Sequence, residues 1–180
     1  MTSGERQPQD LRHGPSYPAM VSLGEALAAT TAVIWGDVTL GAEVNVWYGA
    51  VIRGDCAPIT VGARTNVQDL AVLHADTGVP LDVGCDVTIG HSAIVHGRRV
   101  GDCCLIGIGA KVLGRSEIGA GSVIAAGAVI REGAIIPPRS LVAGVPGRVM
   151  REVSDEELAL YTSHAATYIA LAKRHLRPSL

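Results

Sequence analysis

The sequence predicts an all-β solenoid, a parallel β-helix of hexapeptide repeats followed by a C-terminal α-helix, and three observations lead there. The first is a branched aliphatic residue recurring every six positions. It runs Leu40, Val46, Ile52; Val61, Val67, Leu73; Val83, Ile89, Val95; then Val100, Ile106, Val112, Ile118, Ile124, Ile130, Ile136 and Val142. The second is the position after each aliphatic, commonly a glycine or a small or polar residue, with turn formers next. The third is composition: 48% of residues are apolar, yet there is no phenylalanine and 22 residues are glycine. Each hexapeptide makes one short strand and a turn, and three make a triangular coil. The recurring aliphatic points inward and stacks on its counterpart one coil away, at a strand spacing of about 4.8 Å. Neither helical nor alternating periodicity sustains a period of six.

Three segments succeed one another along the chain: an N-terminal arm over residues 1–20, the β-helix over 21–150 and the helical segment over 151–180. The arm is polar and proline-containing, expected to be disordered or loosely wrapped. It lacks the apolar core of a signal peptide, and no run of transmembrane length comes after it, so a cytoplasmic protein is expected. A net charge of −2 gives no footprint for nucleic acid or an anionic membrane. The four cysteines form no C-x-x-C pair, and a disulfide framework is not expected in such a chain.

The repeat breaks at three places. Three residues are extra between Ile52 and Val61, four are extra between Leu73 and Val83, and one is missing between Val95 and Val100. Insertions in a solenoid are expected to bulge as loops on one face. After Val142, prolines and glycines end the repeat. Ser154 with Glu157 three residues on forms a capping box that opens a helix. Leu158, Tyr161, Ala165, Tyr168, Ile169, Ala172 and Leu176 give it an apolar stripe, which must be buried on the solenoid flank or on a neighbouring subunit.

With the inserted residues removed, Ile52, Leu73 and Val95 hold one phase on successive coils. Arg53, His74 and His96 come directly after them and stack in a column on one outer face. Val67 and Ile89 share another phase, which stacks Asp69 with His91 around a corner. His74 and His96 lie about 5 Å apart, close enough to share a metal. His91 occupies a different edge and meets such a pair only across an interface with a neighbouring chain; three-fold packing of triangular prisms creates three such sites. A lone histidine on a β-helix face is ordinarily a plain polar surface residue. Three in register, with arginine and aspartate beside them, weigh toward ligation.

Three neutral histidines suit Zn²⁺, and also Fe²⁺ or Co²⁺. They leave an open position for water, whose pKa the metal brings near neutrality. Gln68 is placed to orient that hydroxide or a substrate oxygen. Arg53 and Asp55 read as an ion pair at a subunit interface, with Arg53 in the histidine column also able to face the substrate. His13, His164 and His175 read as solvated.

These residues resemble the gamma-class carbonic anhydrases and their bacterial homologues. The resemblance rests on W-Y-G-A-V-I-R-G-D at Trp47 to Asp55, N-V-Q-D at Asn66 to Asp69, Leu73-His74, I-G-H ending at His91, V-H-G around His96 and the V-P-G ending. It implies left-handed coils and a homotrimer with metal between subunits, bound by His74, His91 and His96. The implied reaction is reversible hydration of CO₂ to bicarbonate by a metal-bound hydroxide. It further implies that Asn66, Gln68 and Asp69 lie near the metal and that Tyr168 reaches the pocket; as plain packing, Tyr168 belongs to the helix stripe. The chain departs from the family at two points. Cys56 stands where a glutamate comes after the R-x-D aspartate, and the acidic loop after the first histidine is reduced to A-D-T-G, with Asp76 as a partial substitute. Loss of the proton-transfer glutamates limits turnover to proton release into bulk water. Two other classes remain open: a hexapeptide acyltransferase or thioesterase acting on an acyl-CoA, and a non-catalytic trimeric metal-binding scaffold. Three histidines at ligand spacing weigh against the former, which needs one.

Overall fold

The computed structural model describes residues 19–176. Most of the predicted arm, residues 1–18, lies outside them. Among the described residues the chain forms a parallel β-solenoid of about six turns with a single helix, Asp155–Arg174, at its C-terminal end.

The six-residue phase becomes the core. Every aliphatic of that phase from Val46 to Val142 is buried, and Leu40 packs against the same cluster. Pairing holds the columns in register on three faces. Ile52, Leu73, Val95 and Val112 align on one, Val67, Ile89 and Ile106 on the second, and Val61, Val83 and Val100 on the third. A slip of one residue would turn a whole set of aliphatics to the outside, so the repeat itself fixes the register.

Both ends carry a reversed strand that the repeat does not announce. Met20–Leu23 pairs antiparallel with Ala26–Ala29 at one end, and Arg148–Glu152 pairs antiparallel with Ser140–Ala143 at the other.

The first insertion does not bulge out as a loop. Val51–Val61 is one continuous strand that spans two faces, paired with Val33–Leu40 on both sides of a register shift between Gly36 and Val38. Gly36 and Gly54 allow this, because a Cβ at either would overlap the facing backbone. Along this strand inward and outward residues alternate except at Asp55 and Cys56, which are both exposed, as at a β-bulge. The second insertion does form a loop, residues 75–80. It folds over the first, and the Gly78 N–H donates to the Cys56 carbonyl at 3.3 Å.

The helix starts as predicted, with Ser154 as N-cap and a reciprocal bond to Glu157. It buries Ala165, Ile169 and Ala172 against the strands Asn45–Val46, Asn66–Val67 and Thr88–Ile89. The outward-facing Asn45, Asn66 and Thr88 are thereby covered. Among the described residues no helix is long and apolar enough to cross a membrane.

Candidate metal centre

His74 and His96 each come after an inward aliphatic, so both imidazoles point outward. Pairing of Leu73 with Val95 puts them on adjacent coils, and Arg53 is the register partner of His74 one coil earlier. His74 Nδ1 and His96 Nε2 face each other at 3.0 Å. The remaining ring nitrogens meet carboxylates. His74 Nε2 lies 3.2 Å from Asp55 Oδ1, and His96 Nδ1 lies 3.5 Å from Asp76 Oδ1 on the 75–80 loop. Arg53 donates to the other oxygen of Asp55 at 2.5 Å. That hydrogen bond, with a smaller one from His74, holds the Asp55 carboxyl below its usual range. A continuous row, Arg53–Asp55–His74–His96–Asp76, therefore runs along one edge.

His91 is on another edge. It comes two residues after the inward Ile89, at a corner between faces, and Asp69 holds the equivalent place one coil earlier. His91 Nδ1 lies 2.9 Å from Asp69 Oδ2. The carboxylate makes Nδ1 the donor and leaves the Nε2 lone pair for a ligand.

Asn66 and Gln68 belong to this second half. The Gln68 amide donates to Asn66 Oδ1 at 3.0 Å, and Asn66 donates to Thr88 Oγ1 at 2.9 Å. Both are buried on the helix-covered face, beside Asp69 and away from the His74 edge. Tyr168 packs edge-on against Trp47, ring centroids 5.3 Å apart. Burial pushes its hydroxyl pKa up, and the negative charge of Asp69 adds to that, which places it near the same corner. Tyr48 responds to the same two influences.

The predicted residues thus fall into two separate groups in one chain. Arg53, Asp55, His74 and His96 form one; His91, Asp69, Gln68, Asn66 and Tyr168 form the other. Among the described residues, the three-ligand cluster compact enough to hold an ion is Asp55, Cys56 and His74, whose ligand atoms lie within 4.8 Å of one another. Cys56 has no place in the histidine set read from the sequence. The signal that betrays it is the failed alternation at Asp55-Cys56, visible once the strand is known.

The donors fit a divalent ion. Zn–N bonds of 2.0–2.1 Å in a tetrahedron set two nitrogens about 3.3 Å apart, close to the spacing of the facing His74 and His96 nitrogens. Each of the three histidines also has a carboxylate against its other nitrogen, the usual support of a ligating imidazole.

The chain is similar to known proteins over most of its length. The family pattern described as bacterial transferase hexapeptide (six repeats) matches residues 99–132. A protein of Methanocaldococcus jannaschii named probable carbonic anhydrase is 48% identical over 145 residues, covering 81% of this chain and 91% of that one. Gamma carbonic anhydrase 1, mitochondrial, of Arabidopsis thaliana is 39% identical over 157 residues, covering 84% of this chain and 57% of that one. Among solved structures, a hexapeptide transferase family protein from Anaplasma phagocytophilum superimposes with a TM-score of 0.75 at 36% identity, covering 83% of this chain and 92% of that one. The similarity to proteins named carbonic anhydrase extends over the coils that carry both groups of histidines, and the chain belongs to the gamma carbonic anhydrase family of hexapeptide-repeat proteins.

Proposed function

We propose that the chain is a homotrimeric carbonic anhydrase that hydrates CO₂ to bicarbonate reversibly at a zinc site shared between subunits. His74 and His96 of one chain and His91 of the partner subunit are the ligands. One observation carries this reading: the pair of facing imidazoles and the carboxylate-oriented third imidazole lie on different edges of the same prism, so a three-histidine set is completed only across an interface. A divalent ion held there lowers the pKa of a bound water and supplies hydroxide near neutral pH.

The chain's own residues do the rest. Asp55 and Asp76 hold the imidazoles of the pair, and Asp69 holds that of His91. The Gln68 amide nitrogen is committed to Asn66, so Oε1 is the atom left to accept a hydrogen bond from the attacking oxygen and orient it. Hydration of CO₂ releases one proton. Asp76, one-third exposed on its loop beside His96, takes that proton and passes it to solvent. Arg53 neutralises Asp55 and keeps positive charge near the product anion.

Complementation tests the shared site. His74→Ala chains are expected to lose metal and hydration activity, and His91→Ala chains to lose hydration activity. In a mixed three-fold ring, one interface pairs an intact His74–His96 edge with an intact His91. Co-expressed chains are therefore expected to regain hydration activity. Mixed trimers without hydration activity, or His91→Ala homotrimers with wild-type hydration activity, would overturn the reading.

A further inference from the structure

Cys56 sits where the two insertions meet. In a strand successive side chains alternate between faces, and regular alternation would turn the residue after the exposed Asp55 inward. The bulge at Asp55-Cys56 prevents this and leaves both exposed. Two features fix the bulge: the register shift on the paired strand and the Gly78 N–H that takes the Cys56 carbonyl. The outcome is a thiol, a carboxylate and an imidazole, all from one chain, with ligand atoms within 4.8 Å of each other.

Cys103 and Cys104 are placed differently. Cys104 is buried, and burial pushes its thiol up to about 12. Burial also raises the Cys103 thiol. Cys56 is exposed beside a candidate ligand.

We propose that Cys56 is an alternative metal ligand on this edge: its thiolate binds the ion together with His74 of the same chain, and in that state it takes the coordination position that water holds in the hydrating site. The inference rests on the reading that the His74 edge binds a divalent ion. The bookkeeping of the step is simple: the S–H proton goes to solvent, a sulfur–metal bond forms and one water leaves. A mixed sulfur and nitrogen set selects zinc, cobalt or cadmium over the hard cations magnesium and calcium. A site whose last position is filled by sulfur is closed, whereas one that keeps water is open for catalysis. The chain therefore carries two ligand sets that share His74: an all-histidine set completed by a neighbour and a thiolate set completed within the subunit.

Cobalt(II) distinguishes them, because thiolate ligation gives an intense sulfur-to-cobalt charge-transfer absorption in the near ultraviolet. The full-length protein would be titrated with Co²⁺ without oxygen, and bound metal measured on the same samples. The expected result is a charge-transfer band that grows with bound cobalt in the wild type. Cys56→Ser is expected to lose the band while still binding cobalt, and His74→Ala to lose both. Cobalt bound by the wild type without the band, or a band that survives in Cys56→Ser, would overturn the thiolate and leave the histidine site standing. A wild type that binds no cobalt at all would overturn both.

Discussion

His74, His91 and His96 each face a carboxylate, and the three carboxylates are not equivalent. Asp55 is shared between His74 and Arg53, and Asp76 comes from a loop. Asp69 serves His91 from the adjacent coil at 2.9 Å. Asp69→Asn can still accept a hydrogen bond but no longer carries charge, and it can present an amide N–H to the ring. It is expected to weaken metal binding about 10- to 100-fold, measured by competition with a chelating indicator. Unchanged affinity would mean that Asp69 has no part in orienting His91. At this scale the sequence was informative because a strict repeat fixes the direction of every side chain. Arg53, His74 and His96 occupy the column that the phase of Ile52, Leu73 and Val95 assigns to them. The repeat fixes direction and not cover, however. Nothing in N-V-Q-D tells that Asn66 and Gln68 lie buried on the helix-covered face, since that depends on where a distant element docks.

The helix is the element most exposed to a simple test. Its N-terminus is held by Ser154, which accepts from the Glu157 N–H, and by Glu157, which bonds back to Ser154 and forms a paired hydrogen bond with Arg151. Loss of such a cap costs about 1 kcal/mol, and Ser154→Ala is expected to lower the urea midpoint accordingly. Glu157 adds a pH signature. The Arg151 guanidinium and the Ser154 N–H hold its carboxyl down at about 2, against 4.5 when free. Its contribution is thus complete above pH 4.5 and disappears as pH falls through about 2. The stability gap between wild type and Glu157→Gln should take that course, and a gap independent of pH would exclude the charge as its source. The capping box was legible because its residues are local. The strand Val51–Val61 was not. Three extra residues read as a loop, but here they are absorbed by a strand that turns the corner against Val33–Leu40, a pairing partner that no local pattern identifies.

At the scale of the whole molecule, each coil packs only on its neighbours, so stability is close to a sum over adjacent pairs. That is why substitutions at outward positions such as His74 should leave the solenoid folded while changing what it binds, with circular dichroism as the check. The repeat was readable across this scale because one small set of aliphatics fills one column after another. The ends were not, since a reversed strand is a departure from the repeat. Those two strands, Met20–Leu23 and Arg148–Glu152, have a consequence for the length of the object. A parallel solenoid is a template at either end, where unpaired backbone invites the next chain. Reversed strands are full stops: they cap the count of coils and keep a rod from becoming a polymer. A chain trimmed to residues 26–144 has no stop at either end, and it is expected to elongate head to tail into filaments visible by electron microscopy, whereas the full chain stays a particle of one size.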